Sequence, residues 1–153
     1  MIARARMLGV LAILLGGAVG IVGSTQTWLE VTLRSGATEA LSVPGASALP
    51  LLAPLSLAAL ALGLALTVVG RVLRYVFGLL ATLIGGVLMV GAARIALERP
   101  LDAVAAVVTK ATGLSGVDAI ADLVSSITAT GWPYAVAVAG LVVALGGLWT
   151  LAT

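Results

Sequence analysis

YVFGLLATLIGGVLMVGAA, residues 75–93, carries no charged side chain and is bracketed by Arg71 and Arg74 on one side and Arg94 and Glu98 on the other. A helix rising 1.5 Å per residue needs ~20 apolar residues to cross a hydrocarbon core of ~30 Å, and this run has that length. Three more uncharged apolar stretches accompany it: Met7–Gly23, Pro50–Gly70 and Pro133–Ala152. Of the 153 residues, 61% are hydrophobic and only 9% charged, and the mean hydropathy is +1.25, outside the range of soluble globular domains. These features predict an all-α integral membrane protein, one domain over residues 1–153, built as a four-transmembrane-helix bundle with a small extracytoplasmic cap. The outer loops are residues 24–49 and 94–132. A cleaved signal peptide is the competing reading of the first stretch, but the run is long for an h-region, so it is expected to remain as a span.

Charge sets the expected orientation. Arg4 and Arg6 precede the first span, and Arg71 and Arg74 separate the second from the third, with no acidic residue in either segment. The two other connections are mixed: Glu30, Arg34 and Glu39 in the first, and Arg94, Arg99 and Lys110 with Glu98, Asp102, Asp118 and Asp122 in the second. The positive-inside rule then predicts a plasma-membrane protein with both termini cytoplasmic. Trp28, Trp132 and Tyr134 fall at outer span ends and Tyr75 and Trp149 near inner ends, the headgroup levels that half-wet aromatic rings prefer. The net charge of +2 comes without a basic cluster, so nucleic acid is not an expected partner.

Between the first two spans, Thr27–Leu33 alternates, with Trp28, Glu30 and Thr32 on one face and Leu29, Val31 and Leu33 on the other. That is a strand pattern. Arg34–Thr38 supplies a turn and Ala40–Val43 a returning strand, broken by Pro44-Gly45, so a β-hairpin is expected that needs a third element to pack on. Gly70–Arg74 is short enough to predict a tight antiparallel pair of spans two and three. In the second outer loop, Pro100 opens an amphipathic helix that Gly113 stops. A second helix follows from a capping box at Ser115 and Asp118, with Ile120, Leu123, Val124 and Ile127 on one stripe. Small residues at four-residue steps, Gly16 with Gly20, Gly78 and Gly86 around Thr82, Ala135 with Ala139, and Gly140 with Ala144, mark close-packing faces.

Chemistry is sparse. There is no cysteine and no histidine, which removes thiol nucleophiles, disulfides and the usual transition-metal ligands and general base. No ionisable residue falls at mid-depth in a span, where carriers and proton relays usually keep one. Arg94, one helical turn from Glu98, is expected to pair with it at the membrane boundary, and is also the residue best suited to hold a carboxylate or a lipid phosphate. Asp118 and Asp122 share a helix face but lack further oxygen ligands for a cation. Glu30 reads as a solvated residue. No phosphate-binding loop or nucleophile elbow is present. Catalytic residues, cofactors and metals are therefore not expected, and the candidate interaction residues are Trp28, Arg94, Glu98 and Trp132.

Ser24-Thr25-Gln26-Thr27-Trp28, then Val43-Pro44-Gly45-Ala46, the Ala/Leu-rich second span ending at Gly70-Arg71 and Arg74, and Thr130-Gly131-Trp132-Pro133 together resemble the tryptophan-biosynthesis-associated transmembrane proteins of actinobacteria. The resemblance runs over nearly the whole chain. It departs at Thr27, where members commonly carry proline, and at the C-terminus, which lacks a basic tail. That family's name reports genomic association, so the resemblance implies no catalytic residue; Trp28 is the matching position it marks as an anchor.

Two functional readings follow. The first is a non-enzymatic accessory or scaffold protein of the cell envelope, contacting lipid and another membrane protein. The alternative is a small transporter or binding protein for an aromatic metabolite such as tryptophan.

Overall fold

The computed structural model describes residues 2–33, 41–98, 104, 105, 107–109, 113 and 124–152. The elements run α1 (Ile2–Ser24), β1 (Thr27–Leu33), β2 (Leu41–Pro44), α2 (Gly45–Ala48), α3 (Leu52–Ala65), α4 (Arg71–Glu98), β3 (Val124–Ala129) and α5 (Trp132–Ala152). Among the described residues, three helical segments are long and apolar enough to cross a membrane: Met7–Ser24 within α1, α4 and α5.

The remaining apolar stretch is shorter than expected. Helix α3 has 14 residues, about 21 Å at 1.5 Å per residue, short of a ~30 Å core. The local sequence accounts for both ends. Pro50 lies outside the helix, which starts at Leu52 with Pro54 tolerated in its first turn. Beyond Leu66, the Thr67 hydroxyl donates to the Leu64 carbonyl at 2.6 Å and the backbone closes into turns. Thr67, Val68 and Val69 are β-branched and Gly70 follows, a run with little helical preference.

Helix α5 lies between α1 and α4, and α1 lies between α5 and α3. The predicted tight pairing of spans two and three is not found: α3 and α4 are the least engaged of the neighbouring helices. A shallow apolar groove lined by Leu49, Leu51, Thr82, Leu83, Gly86, Val87, Val90 and Gly91 runs along α4 beside the residues that lead into α3. A short connection brings two helices together at one end only; what closes a helix pair in lipid is small-residue contact along its length, and that contact is spent on α5.

The α4–α5 seam is backbone against backbone. A Cβ on Gly140 would stand 2.6 Å from the Met89 nitrogen, and one on Gly147 2.7 Å from the Gly78 carbonyl oxygen. On the α1–α5 seam, a Cβ on Gly146 would come within 2.8 Å of the Gly9 carbonyl oxygen. Two of the expected close-packing pairs therefore divide: Gly16 faces Ala139 and Val143 of α5 while Gly20 faces Ser56 of α3, and Gly85 rather than Gly86 enters the α4 seam.

At one end of the bundle sits a three-stranded antiparallel sheet in the order β2-β1-β3. The β1–β2 hairpin forms as its alternation predicts, pairing Glu30 with Ser42 and Val31 with Leu41. The element that covers its other edge is β3, which pairs Glu30 with Thr128 and Val31 with Ile127. Here the amphipathic-helix reading of Val124 and Ile127 is corrected, because Val124–Ala129 is strand. VSSITA is rich in β-branched residues and alternates with period two, and a waiting strand edge decides such an ambiguous segment. The expected turn at Arg34–Thr38, the capping box at Ser115 and Asp118, and the Asp118–Asp122 pair lie outside the described residues. Residues 104, 105 and 107–109 are helical, and Gly113, with φ of 77°, donates its N–H to the Thr109 carbonyl at 2.8 Å, a stop of the expected kind.

Two apolar clusters fill the interior. The larger lies under the sheet and joins Trp28, Leu29, Val31, Val43, Leu52, Leu88, Ile95, Val104 and Val136; the other joins Val10, Ile13, Ala59, Leu66, Ala81 and Val143 deeper in the bundle.

Candidate functional site

The candidate residues gather at the sheet end, but not at one point. Trp28 occupies a β-bulge: β1 pairs Thr27 with Pro44 and then Leu29 with Val43, leaving Trp28 as the extra residue. A bulge breaks strict alternation, so Trp28 and Leu29 are both fully buried while Glu30 and Thr32 are exposed. This corrects the expectation that Trp28 shares a face with Glu30. Its indole Nε1 donates to the Gly23 carbonyl at the end of α1, at 2.8 Å. Gly45, the first residue of α2, presses against the same ring, since a Cβ there would stand 2.6 Å from the Gly23 carbonyl oxygen and 2.8 Å from the Trp28 Cε2. Tryptophan is needed because no other side chain offers that much apolar area with a single N–H at its rim.

Trp132 opens α5 and is half-buried against the larger cluster. Thr130 positions it. The Thr130 hydroxyl donates to the Thr27 carbonyl at 2.6 Å and accepts from the Trp132 backbone N–H at 3.3 Å, while the Thr130 N–H donates to the Trp28 carbonyl at 2.8 Å. Thr130 was not among the sequence candidates; its Thr-Gly-Trp-Pro setting, a hydroxyl two residues before a helix start, is the signal that marks it. Beside this junction lies an open depression of about 520 Å³ lined by Gln26, Thr27, Thr130, Gly131, Trp132 and Ala135. It offers an aromatic face, hydroxyls and an amide, but no charge.

Arg94 and Glu98 stand near the end of α4. The Arg94 Nε lies 3.3 Å from the Glu98 carboxylate, as the one-turn spacing predicts, with side chains 51% and 65% exposed. At that exposure an i,i+4 pair contributes only about 0.3–0.5 kcal/mol, so its stabilising role is minor.

Among the described residues no charged side chain is buried, and the buried polar ones are Ser24, Ser56 and Thr150. The Ser24 hydroxyl donates to the Ile21 carbonyl and that of Thr150 to Gly146. Ser56 faces Gly20 without a hydrogen-bond partner. No group of three or more carboxylates that could hold a metal ion occurs among the described residues. A family model described as tryptophan-associated transmembrane protein matches residues 10–153. No curated protein and no solved structure matches the chain.

Proposed function

We propose a structural role for this chain, which belongs to the tryptophan-associated transmembrane protein family: a non-enzymatic, multi-pass accessory subunit that scaffolds a larger complex in the cell membrane. In this reading α3 makes a fourth, thinner passage, the sheet faces outward and both termini face the cytoplasm. The observation that carries it is the character of the membrane part. Its seams are closed by glycine on backbone and, among the described residues, the buried polar residues are Ser24, Ser56 and Thr150 and no charged residue is buried, the buried Nε of half-exposed Arg74 lying at the start of α4 and not at mid-span. Carriers and relays place polar or ionisable groups near the bilayer midplane. By contrast, α5 turns Val138, Leu141, Leu145 and Leu148 outward, an apolar surface available to another membrane protein. Affinity purification in mild detergent should recover a stoichiometric membrane partner. A solitary monomer under those conditions would count against the proposal.

One observation favours a second reading, in which the chain binds an aromatic metabolite such as tryptophan. The depression beside Trp132 combines an aromatic ring with Gln26, Thr27 and Thr130, the apolar wall with a few polar groups that small-molecule sites use. Flux of labelled tryptophan in sealed vesicles, compared between wild type and Trp132→Ala, tests it. Equal flux in both would reject that site.

A further inference from the structure

The groove along α4 beside Leu49 and Leu51 ends one helical turn short of a charged pair, and the two features belong together. Its α4 wall runs from Thr82 to Gly91, about 13.5 Å at 1.5 Å per residue. That is close to half of a ~30 Å hydrocarbon core, the depth of one leaflet. Leu49 and Leu51 form the opposite wall at the sheet end, where Leu49 packs over Gly91. Gly86 forms its floor, since a Cβ there would meet nothing within 4 Å. Arg94 follows Val90 by four residues and Gly91 by three, which sets it on the groove's own helix face, one turn nearer the sheet. Arg94 and Glu98 hold each other just beyond that end, the Arg94 Nε 3.3 Å from the Glu98 carboxylate, so a cation and an anion stand together one turn past the groove.

We propose that this groove is a phospholipid site of the sheet-side leaflet, taking one acyl chain along α4 beside Leu49 and Leu51 and reading a zwitterionic amine headgroup with Arg94 and Glu98. A guanidinium with five N–H donors suits the lipid phosphate, and a carboxylate one turn beyond accepts from the primary ammonium. The charges on the protein match those of phosphatidylethanolamine in kind and in order from the bilayer outward. An anionic lipid would meet Glu98 unfavourably, and the pair makes no use of a lipid lacking N–H donors. The groove's wall is apolar, with one hydroxyl at Thr82 that already donates to the Gly78 carbonyl at 2.9 Å. The inference requires the membrane, not the partner proposed above.

Native mass spectrometry of the full chain from mild detergent, with phosphatidylethanolamine, phosphatidylcholine and phosphatidylglycerol each added, tests the assignment. Wild type should retain phosphatidylethanolamine best. Arg94→Ala should weaken retention about tenfold, the scale of one charge-assisted hydrogen bond. Glu98→Gln should remove the preference for phosphatidylethanolamine over phosphatidylglycerol. Gly86→Leu, which the open floor accommodates, should abolish retention of all three while the protein stays folded by circular dichroism. Equal lipid adducts in wild type, Arg94→Ala and Gly86→Leu would overturn the proposal. So would doubled protein masses that Gly86→Leu returns to monomer, because a second copy would then fill the groove.

Discussion

Trp28 joins three elements through one ring: it belongs to β1, its N–H ties the end of α1, and its face receives the start of α2. Replacing it with alanine removes a buried aromatic from the larger cluster, and such truncations cost about 3–5 kcal/mol. Trp28→Phe keeps most of the packing but leaves the Gly23 carbonyl without its donor, at about 1–3 kcal/mol. Thermal unfolding in detergent should therefore rank wild type above Trp28→Phe above Trp28→Ala; equal midpoints would refute the anchoring role. Glu98→Ala, by comparison, should leave the midpoint nearly unchanged, because an exposed i,i+4 pair contributes about 0.5 kcal/mol at most. Trp28 was visible in the sequence as an anchor, but not as a buried one. Alternation predicts the neighbours correctly, with Leu29 and Val31 in and Glu30 and Thr32 out, and then fails at the single position where a bulge adds a residue. Bulges depend on the partner strand's register, which one strand's own pattern does not contain.

Between helices, the deciding feature is a recurrence every seven residues rather than every four. Gly9, Gly16 and Gly23 face α5; Gly78 and Gly85 in α4 meet Gly147 and Gly140 in α5. A seven-residue recurrence keeps one narrow seam in contact over two turns and suits left-handed crossings near 20°. The four-residue pairs read from the sequence caught Gly16, Gly140 and Gly78 but chose Gly86 over its neighbour Gly85. In a run such as Ile-Gly-Gly-Val, only the longer period separates the two. Their different surroundings give a paired prediction. A methyl on Gly85 would press into the Gly140 carbonyl at 2.5 Å, backbone that cannot yield without parting the helices, and overpacking of this kind costs about 1–3 kcal/mol. The same methyl on Gly86 meets open space and gains helix propensity, about 0.8–1 kcal/mol in an exposed helix. Unfolding of Gly85→Ala and Gly86→Ala in sodium dodecyl sulfate titrations should thus shift in opposite directions. A shift of the same sign in both would contradict the seam.

Across the whole molecule, two connections that are far apart in sequence converge on one sheet, which ties the sheet-side end of α1 to the entry of α5 through β1 and β3. Three of the four apolar runs read from the sequence form helices long enough to cross a membrane, because lipid leaves a simple signature, long apolar runs, while the run at Pro50–Gly70 forms a shorter helix. Strand β3 was not legible, since a short segment declares itself only when an edge is present to pair with. Topology follows from the sheet: β1 precedes α3 and β3 follows α4, so the chain between them crosses an even number of times, and if α4 crosses then α3 crosses too, with Arg71 and Arg74 on the face opposite the sheet. The proposed layout has α3 crossing, with the bilayer thinned or its flanks drawn in to match a 14-residue helix. The absence of native cysteine makes this directly measurable. Ser42→Cys and Ser126→Cys lie on exposed strand positions and Val72→Cys on the exposed first turn of α4. In intact cells, a membrane-impermeant maleimide should label the two sheet cysteines and reach Val72→Cys only after lysis. Labelling of all three from outside would mean that neither α3 nor α4 completes a crossing, and would take the arginine-based orientation down with it.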